Sequence, residues 1–139
     1  MDHLSASMKV AASGLDAQSL RLRVVAENLA NAQSTSDVPG GDPYQRKLVN
    51  FQTIFAQELN GSIVDVHSVS NDKRAFSLQF DPGSPGANAE GYVKMPNVNS
   101  IVEMADMREA NRSYQANLQV FKQARELITL TIDLKRAGQ

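Results

Sequence analysis

Apolar residues recur along the first 31 residues with the spacing of a helix that packs against another helix. One line of positions follows alternating steps of four and three: Leu4, Met8, Ala11, Leu15, Gln18, Leu22, Val25 and Leu29. Seven of these eight residues are apolar, and a repeat of 3.5 residues is typical of coiled-coil packing. The alternative is an ordinary amphipathic helix on its own core. The length of the repeat favours the coiled-coil-like contact.

A second helical pattern occupies residues 97–139. Apolar residues recur there at steps of three, four or seven: Ile101, Met104, Met107, Tyr114, Leu118, Phe121, Ile128 and Ile132. Pro96 disfavours a helical conformation for the residue before it, so the helix is predicted to begin after Pro96, with Asn97 or Asn99 as its N-cap. Arg125 and Lys135 fall within or beside the stripe, so the repeat is not a strict heptad.

The middle of the chain concentrates the residues that break helices. All five prolines and six of the eight glycines lie between residues 32 and 96. The chain is therefore predicted to divide into an N-terminal helix (1–31), a middle lobe of loops and short strands (32–96) and a C-terminal helix (97–139). Segment 61–69 is rich in β-branched residues and segment 75–80 alternates apolar with polar residues. These two segments are predicted to form one hairpin that turns at 70–73.

These elements predict a mainly α protein with a small β-containing insert. The long N- and C-terminal helices are expected to form an antiparallel coiled-coil-like pair, because the chain leaves along one helix and returns along the other. Apolar surface left on the C-terminal helix indicates oligomerisation. The residues predicted to pair the helices or to contact other subunits are Leu4, Met8, Leu15, Leu22, Val25, Asn28, Leu29, Asn31, Tyr114, Asn117, Leu118, Phe121, Ile128 and Ile132.

Amide side chains are unusually frequent within the two helical patterns, although asparagine is a mediocre helix former. They are Asn28, Asn31, Asn111 and Asn117, with Gln18 and Gln115 beside the apolar stripes. Two interpretations stay open. The amides form hydrogen bonds between the helices and fix their register, or they are exposed to solvent.

Composition argues against several classes of function. Fourteen Lys and Arg against 15 Asp and Glu give a net charge of −1, so no nucleic-acid partner is expected. Cysteine is absent, which excludes disulfides, thiolate metal sites and a thiol nucleophile. The sequence has no run of 18 apolar residues, so no membrane insertion is expected. The N-terminal segment lacks the continuous apolar block of a cleaved secretory signal.

No pattern of catalytic or cofactor-binding residues is evident. His3 and His67 are the two histidines and lie far apart, and a metal site needs several convergent donors. Segment 39–43 lacks the Gly-Lys-Ser/Thr of a phosphate-binding loop, and no Gly-x-Ser-x-Gly motif is present. We therefore expect a protein that is not an enzyme, with no metal and no cofactor.

Several segments resemble the flagellar rod, hook and other axial proteins. The N-terminal signature of that family is similar to ASGL at 12–15 and VAENLAN at 25–31. Segment PYQRK at 43–47 resembles the PYRRK segment of one subgroup. The strongest match comprises FDPGSP at 80–85 and GYVKMPNVN at 91–99, followed by similar segments at 103–104, 112–117 and 130–134. The set resembles the C-type proximal-rod subgroup over nearly the whole chain. Asp42 and Gln45 depart from the usual glycine and arginine of that subgroup.

The resemblance implies a structural subunit of the proximal rod of the bacterial flagellar basal body, which assembles helically into the drive shaft that transmits torque. The implied partners are copies of itself, other flagellar rod proteins, the export apparatus and adjacent basal-body components. The resemblance also implies type III export without a cleaved signal peptide, and a location in the periplasm-spanning rod. The alternatives are the other small proximal-rod subunit and a secreted or cytoplasmic coiled-coil interaction module without a flagellar role.

Overall fold

The computed structural model describes residues 2–56 and 61–138. Two long helices lie at the ends of the chain, α1 (Asp2–Ala30) and α2 (Ser100–Ala137). Between them lie the strands β1 (Lys47–Ala56), β2 (Gly61–Asn71), β3 (Ser77–Phe80) and β4 (Tyr92–Met95). The prediction of two long terminal helices is therefore confirmed.

Asn99 forms the N-cap of α2, as one of the two predicted alternatives. Its backbone is extended, and its side-chain oxygen accepts hydrogen bonds from the N–H groups of Ile101 (3.0 Å) and Val102 (3.3 Å). These donors have no partner within the helix, so the cap satisfies two of them. No helix in the described residues is both long and apolar enough to cross a lipid bilayer.

The two helices pack side by side and run in opposite directions. Contacts join Asn28 to Glu103, Arg21 to Asp106, and Gly14 to the side chain of Asn117. Positions thus descend along α1 as they ascend along α2. Since α1 has 29 residues and α2 has 38, this register leaves the last two turns of α2 extending beyond the start of α1.

The strands form two separate antiparallel sheets of two strands each. β1 pairs with β2 from Lys47 opposite Asn71 to Ala56 opposite Gly61, and β3 pairs with β4. Asn50 lies opposite Ser68, whereas the next residue lies opposite Val66, so β2 carries one extra residue at this bulge. The β1–β2 hairpin packs against α1.

The core lies between the helices and consists mainly of small side chains. The buried apolar residues on the two helices are Ala11, Ala17, Val24, Val25, Ala110 and Ala124. An ideal Cβ added at Gly14 would lie only 2.7 Å from Nδ2 of Asn117. The two backbones therefore approach closely, and the larger apolar side chains lie beside the contact rather than in it.

The predicted fold class is wrong. Half of the chain is helical and 22% lies in strands, so the β-structure is not a small insert in a mainly α protein. The helices do pair, but the expected coiled coil would insert large apolar side chains along the contact. Alanine, glycine and polar residues lie there instead, which is the physical reason that the description as a coiled coil does not hold.

The predicted hairpin between 61–69 and 75–80 is also wrong. β2 pairs with β1, and β3 pairs with β4. β1 has no regular alternation that would predict a strand, because Leu48 and Ile54 lie on one face and Val49, Phe51 and Phe55 lie on the other. When β1 is not recognised as a strand, the segment at 75–80 is the remaining candidate partner for β2.

Candidate assembly site

The residues predicted to pair the helices or contact other subunits are buried to different extents. Val25 and Asn28 are buried, whereas Ile132 is 39% exposed. The others are half-buried: Leu4, Met8, Leu15, Leu22, Leu29, Asn31, Tyr114, Asn117, Leu118, Phe121 and Ile128. Most of the predicted set thus keeps part of its surface available for a further contact.

The structure adds a set of large apolar residues on α2 that are 39% to 79% exposed in the described chain. We call them the exposed apolar residues of α2: Ile101, Val102, Met104, Val120, Leu127, Leu130, Ile132 and Leu134. Ile101 is 79% exposed and Leu134 is 75% exposed. Val120, Leu127 and Leu134 are spaced by seven residues and lie on one side of the helix. Of this set, Ile132 belongs to the residues predicted to pair the helices or contact other subunits, and Ile101 and Met104 belong to the predicted apolar stripe.

A buried polar cluster joins the helices to the hairpin. We call it the polar junction, and it consists of Asn28, Tyr44, Arg46, Asp72, Asn97 and Glu103. Asn28 is 1% exposed. Its amide nitrogen donates to the carbonyl of Lys47 (2.9 Å) and to Glu103 (3.1 Å). Its amide oxygen accepts from the N–H of Lys47 (2.9 Å) and from the hydroxyl of Tyr44 (2.8 Å). All four hydrogen-bonding sites of this amide are therefore used.

Asn97 fastens the other side of the hairpin base. Its amide nitrogen donates to the carbonyls of Asp72 (2.9 Å) and Arg74 (3.0 Å). Its amide oxygen accepts from the N–H of Arg46 (2.8 Å). The residue just before β1 and the residue just after β2 are thus held by one side chain.

Charged groups complete the polar junction. Glu103 is fully buried, and its carboxylate accepts hydrogen bonds from Asn28 and from Nε of Arg46. Arg46 also lies 3.5 Å from the Asp72 carboxylate. A buried carboxylate without a partner would be costly, so Glu103 depends on Arg46.

Two pKa values report the environment of the polar junction. The pKa of Asp72 is lowered to about 2, chiefly because Arg74 donates hydrogen bonds to its carboxylate from both side chain and backbone. The pKa of Tyr44 is raised to about 12, first by burial and then by the negative charges of Glu27 and Glu103. Both values favour the protonation states in which these groups hold the junction together at neutral pH.

The amides that the sequence singled out have different environments. Asn28 forms the hydrogen bond between the helices that was one of the two interpretations, whereas Asn111 and Gln115 are exposed. Asn31, one residue past the end of α1, donates to the backbone carbonyl of Glu27 in that helix. The side-chain oxygen of Gln18 is buried and has no hydrogen-bond partner among the described residues.

The polar junction is suited to holding elements together and not to chemistry on a ligand. Its polar groups are bound mainly to one another, and the described residues contain no group of three or more His, Asp or Glu placed to hold a metal ion. His3 and His67 are both exposed. Sequence reasoning identified Asn28 but missed Arg46, Asp72 and Glu103 as interacting residues. The available signal was that Arg46 and Glu103 both lie in segments that resemble the flagellar family.

Comparison with known proteins gives two family matches. Residues 8–36 match the model described as "Flagella basal body rod protein". Residues 89–134 match the model described as "Flagellar basal body rod FlgEFG protein C-terminal". The first match covers most of α1, and the second covers β4 and most of α2.

Full-length relatives agree with these matches. The chain is 55% identical to the flagellar basal-body rod protein FlgC of Agrobacterium fabrum over 139 residues, which is all of both chains. It is 44% identical to the protein of that name in Salmonella typhimurium, over 90% of this chain and 92% of the relative. The FlgC of Bacillus subtilis is 36% identical, over 92% of this chain and 95% of the relative.

Proposed function

Because this chain belongs to the FlgC family of flagellar basal-body rod proteins, we propose that it assembles into a helical shaft that transmits torque. It is a structural subunit of the rod and not an enzyme, since its relatives are rod proteins. Its location is the flagellar basal body, and its partners are other rod components. The proposed finer partners are copies of itself, the export apparatus and adjacent basal-body components, and the proposed position is the proximal rod.

The observation that carries this proposal is the set of exposed apolar residues of α2. Eight large apolar side chains are exposed on this one helix. Large exposed apolar surfaces mark sites of interaction with another molecule. The last two turns of α2 extend beyond α1, and Leu134 in these turns is 75% exposed. A contact between this surface and a different surface of the next subunit repeats without closing, which builds a helical filament.

The half-buried residues of the predicted set complete the proposed interface. Residues such as Leu15, Leu22, Tyr114 and Phe121 retain partial exposure beside the helix contact. A neighbouring subunit that packs along the helix pair would bury both these residues and the exposed apolar residues of α2. The free energy of assembly would then come mainly from apolar surface.

We also propose that the chain is exported without loss of its N-terminal segment. Residues of α1 supply most of the buried apolar side chains, among them Ala11, Ala17 and Val24. Removal of this helix would therefore remove the core. Charged side chains such as Lys9 and Arg21 also interrupt the segment, unlike the apolar block of a cleaved signal.

Substitution on the exposed face of α2 tests the proposed assembly. Leu130→Asp and Leu134→Asp place a charge where a subunit contact is proposed, so we expect loss of swimming and loss of the subunit from isolated hook–basal bodies. Asn111→Asp is the matched control, because Asn111 is an exposed polar residue on a different side of the same helix. Subunit levels in whole cells are measured by blot. Normal incorporation of both leucine variants would overturn the proposed interface.

A further inference from the structure

The two neighbours of α1 touch one another mainly at the polar junction. In the described residues, the extensive contacts of the β1–β2 hairpin and of α2 are both made with α1. A direct bond from α2 to the hairpin base joins Glu103 to Arg46, the residue immediately before β1. We propose that Glu103 is a positioning residue through which the pairing of α2 with α1 fixes the base of the β1–β2 hairpin.

The hairpin needs support from outside itself. A hairpin of two strands is marginally stable in water on its own. At its base, the backbone N–H and C=O of Lys47 are both bound by the Asn28 side chain, which also donates to Glu103. One amide thus holds the first residue of β1 and the carboxylate of α2 together. The orientation of that amide depends on both.

Burial of Glu103 makes the dependence mutual. Glu103 is fully buried when α2 lies on α1, and the guanidinium of Arg46 compensates its charge. If the hairpin base moved away, the carboxylate would stay buried without that cation, which is strongly unfavourable. If α2 separated from α1, Glu103 would return to water and Arg46 would lose its partner. Each contact therefore strengthens the other, which is a coupling between two sites.

A second arginine provides the comparison that isolates this role. Arg21 on α1 bonds to Asp106 (3.1 Å) and Glu109 (3.4 Å) on α2. Arg21 joins the same two helices and has no bond of its own to the hairpin, although its partner Asp106 also lies 3.7 Å from the Arg46 guanidinium. Loss of Arg21 should weaken helix pairing, whereas loss of Glu103 should disconnect helix pairing from the hairpin.

The experiment fixes the pairing of the helices with a disulfide and measures amide hydrogen exchange at the base of the hairpin. The chain has no cysteine, so Gly14→Cys with Asn117→Cys introduces a single pair, at positions where the helices are in contact. Amide hydrogen exchange is followed at Lys47, bonded to Asn28, and at Asp72, whose N–H donates to the Arg46 carbonyl (2.7 Å). The full-length chain is compared reduced and oxidised, alone and with Glu103→Gln or Arg21→Gln.

We expect oxidation to slow exchange at both amides by on the order of tenfold in the cysteine-pair chain and in its Arg21→Gln form. In the Glu103→Gln form we expect a change of less than about twofold. Equal slowing in the Glu103→Gln form, or no slowing in the cysteine-pair chain, would overturn the proposal.

A second variant guards against loss of the fold in Glu103→Gln. Glu103→Asp keeps the charge but shortens the reach to Arg46, and we expect the same loss of response after the disulfide restores helix pairing. A full response in this variant would also overturn the proposal. The measurement is independent of rod assembly, so its failure leaves the proposed rod function to its own test.

Discussion

The two long helices differ in the number of partners that cover them. α1 packs against α2 on one side and against the β1–β2 hairpin on another, whereas the extensive contacts of α2 in the described residues are with α1. Among the large apolar residues of α1, Val10 is exposed at 38%, whereas α2 carries the eight exposed apolar residues named above. Both helices have long apolar stripes in sequence, so the number of partners and not the pattern decides how much is buried.

The two ends of α2 differ as strongly as the two helices. Glu103, in its first turn, is completely buried, whereas Leu134, in its last turn, is 75% exposed. This arrangement is the reverse of the usual preference of charged residues for water and leucine for the interior. The first turn is fixed within the subunit, and the last turns remain available to a neighbour.

Charge substitutions on the two helices should separate stability from assembly most strongly. Val25→Asp places a carboxylate at a buried position, since Val25 is 5% exposed. We therefore expect the free energy of unfolding to fall by about 4 kcal/mol. Leu130→Asp, at 52% exposed, should change the stability of the isolated chain by about 0.5 kcal/mol or less. Urea unfolding followed by circular dichroism measures both. Equal losses would mean that α2 is packed as tightly as α1.

Removal of the cation beside Glu103 tests the buried start of α2. Arg46→Met leaves the Glu103 carboxylate buried without its partner, and we expect a loss of about 3 kcal/mol in the free energy of unfolding. Lys94→Met is the control, because the ion pair of Lys94 with Asp42 is exposed and should contribute about 0.5 kcal/mol or less. Similar losses of stability in the two variants would show that the buried Arg46–Glu103 pair contributes no more than an exposed ion pair.

Because the helices approach closely at Gly14, the effect of Gly14→Ala on stability should change sign when Asn117 is also replaced. A methyl group at Gly14 would meet the Asn117 side chain at 2.7–2.9 Å, so we expect Gly14→Ala to destabilise the chain by about 1 kcal/mol. In an Asn117→Ala background that contact is gone, and the better helix propensity of alanine should make Gly14→Ala stabilising by about 1 kcal/mol. Thermal unfolding of all four chains completes the cycle. A destabilising effect in both backgrounds would place the obstruction elsewhere.

The helices could be predicted from sequence because their signals are local. Prolines are absent from both segments, and Pro96 followed by Asn99 specifies the start of α2. The strand pairing could not be predicted in the same way. β1 carries apolar residues on both faces, and the extra residue in β2 shifts its register, so neither strand shows a regular alternation along its full length.

The polar junction was predictable only in part, because its members are far apart in sequence. Asn28 could be singled out from sequence as an amide within the N-terminal helical pattern. Arg46 and Glu103 belong to a loop and to a first helical turn, where a single charge is ordinary. Their interaction depends on the antiparallel register and on the position of the hairpin, which no local pattern encodes. The small residues at the contact between the helices, such as Gly14 and Ala110, could not be predicted for a related reason. A pattern of large apolar residues does not reveal where two backbones approach most closely.

The weakest of the expected effects concerns the hairpin side of α1 and depends on pH. Asp72 follows β2, and its pKa of about 2 lies below its ordinary value of 3.8 because Arg74 and, to a smaller extent, Arg46 bind the ionised carboxylate. A lowered pKa in the folded chain adds stability above the ordinary pKa. That stability is lost as the pH falls from about 4 towards 2.

We expect Asp72→Asn to lower the free energy of unfolding at neutral pH and to flatten its dependence on pH between 4 and 2. The effect should be small because the Arg74 side chain is 67% exposed and solvent screens its charge. Asp65→Asn, on the exposed middle of β2, is the matched control and should keep the pH profile of the parent chain. Urea midpoints at pH 7, 4, 3 and 2 measure the difference, and an unchanged slope in Asp72→Asn would mean that the charges at the hairpin base do not help to hold the second partner of α1.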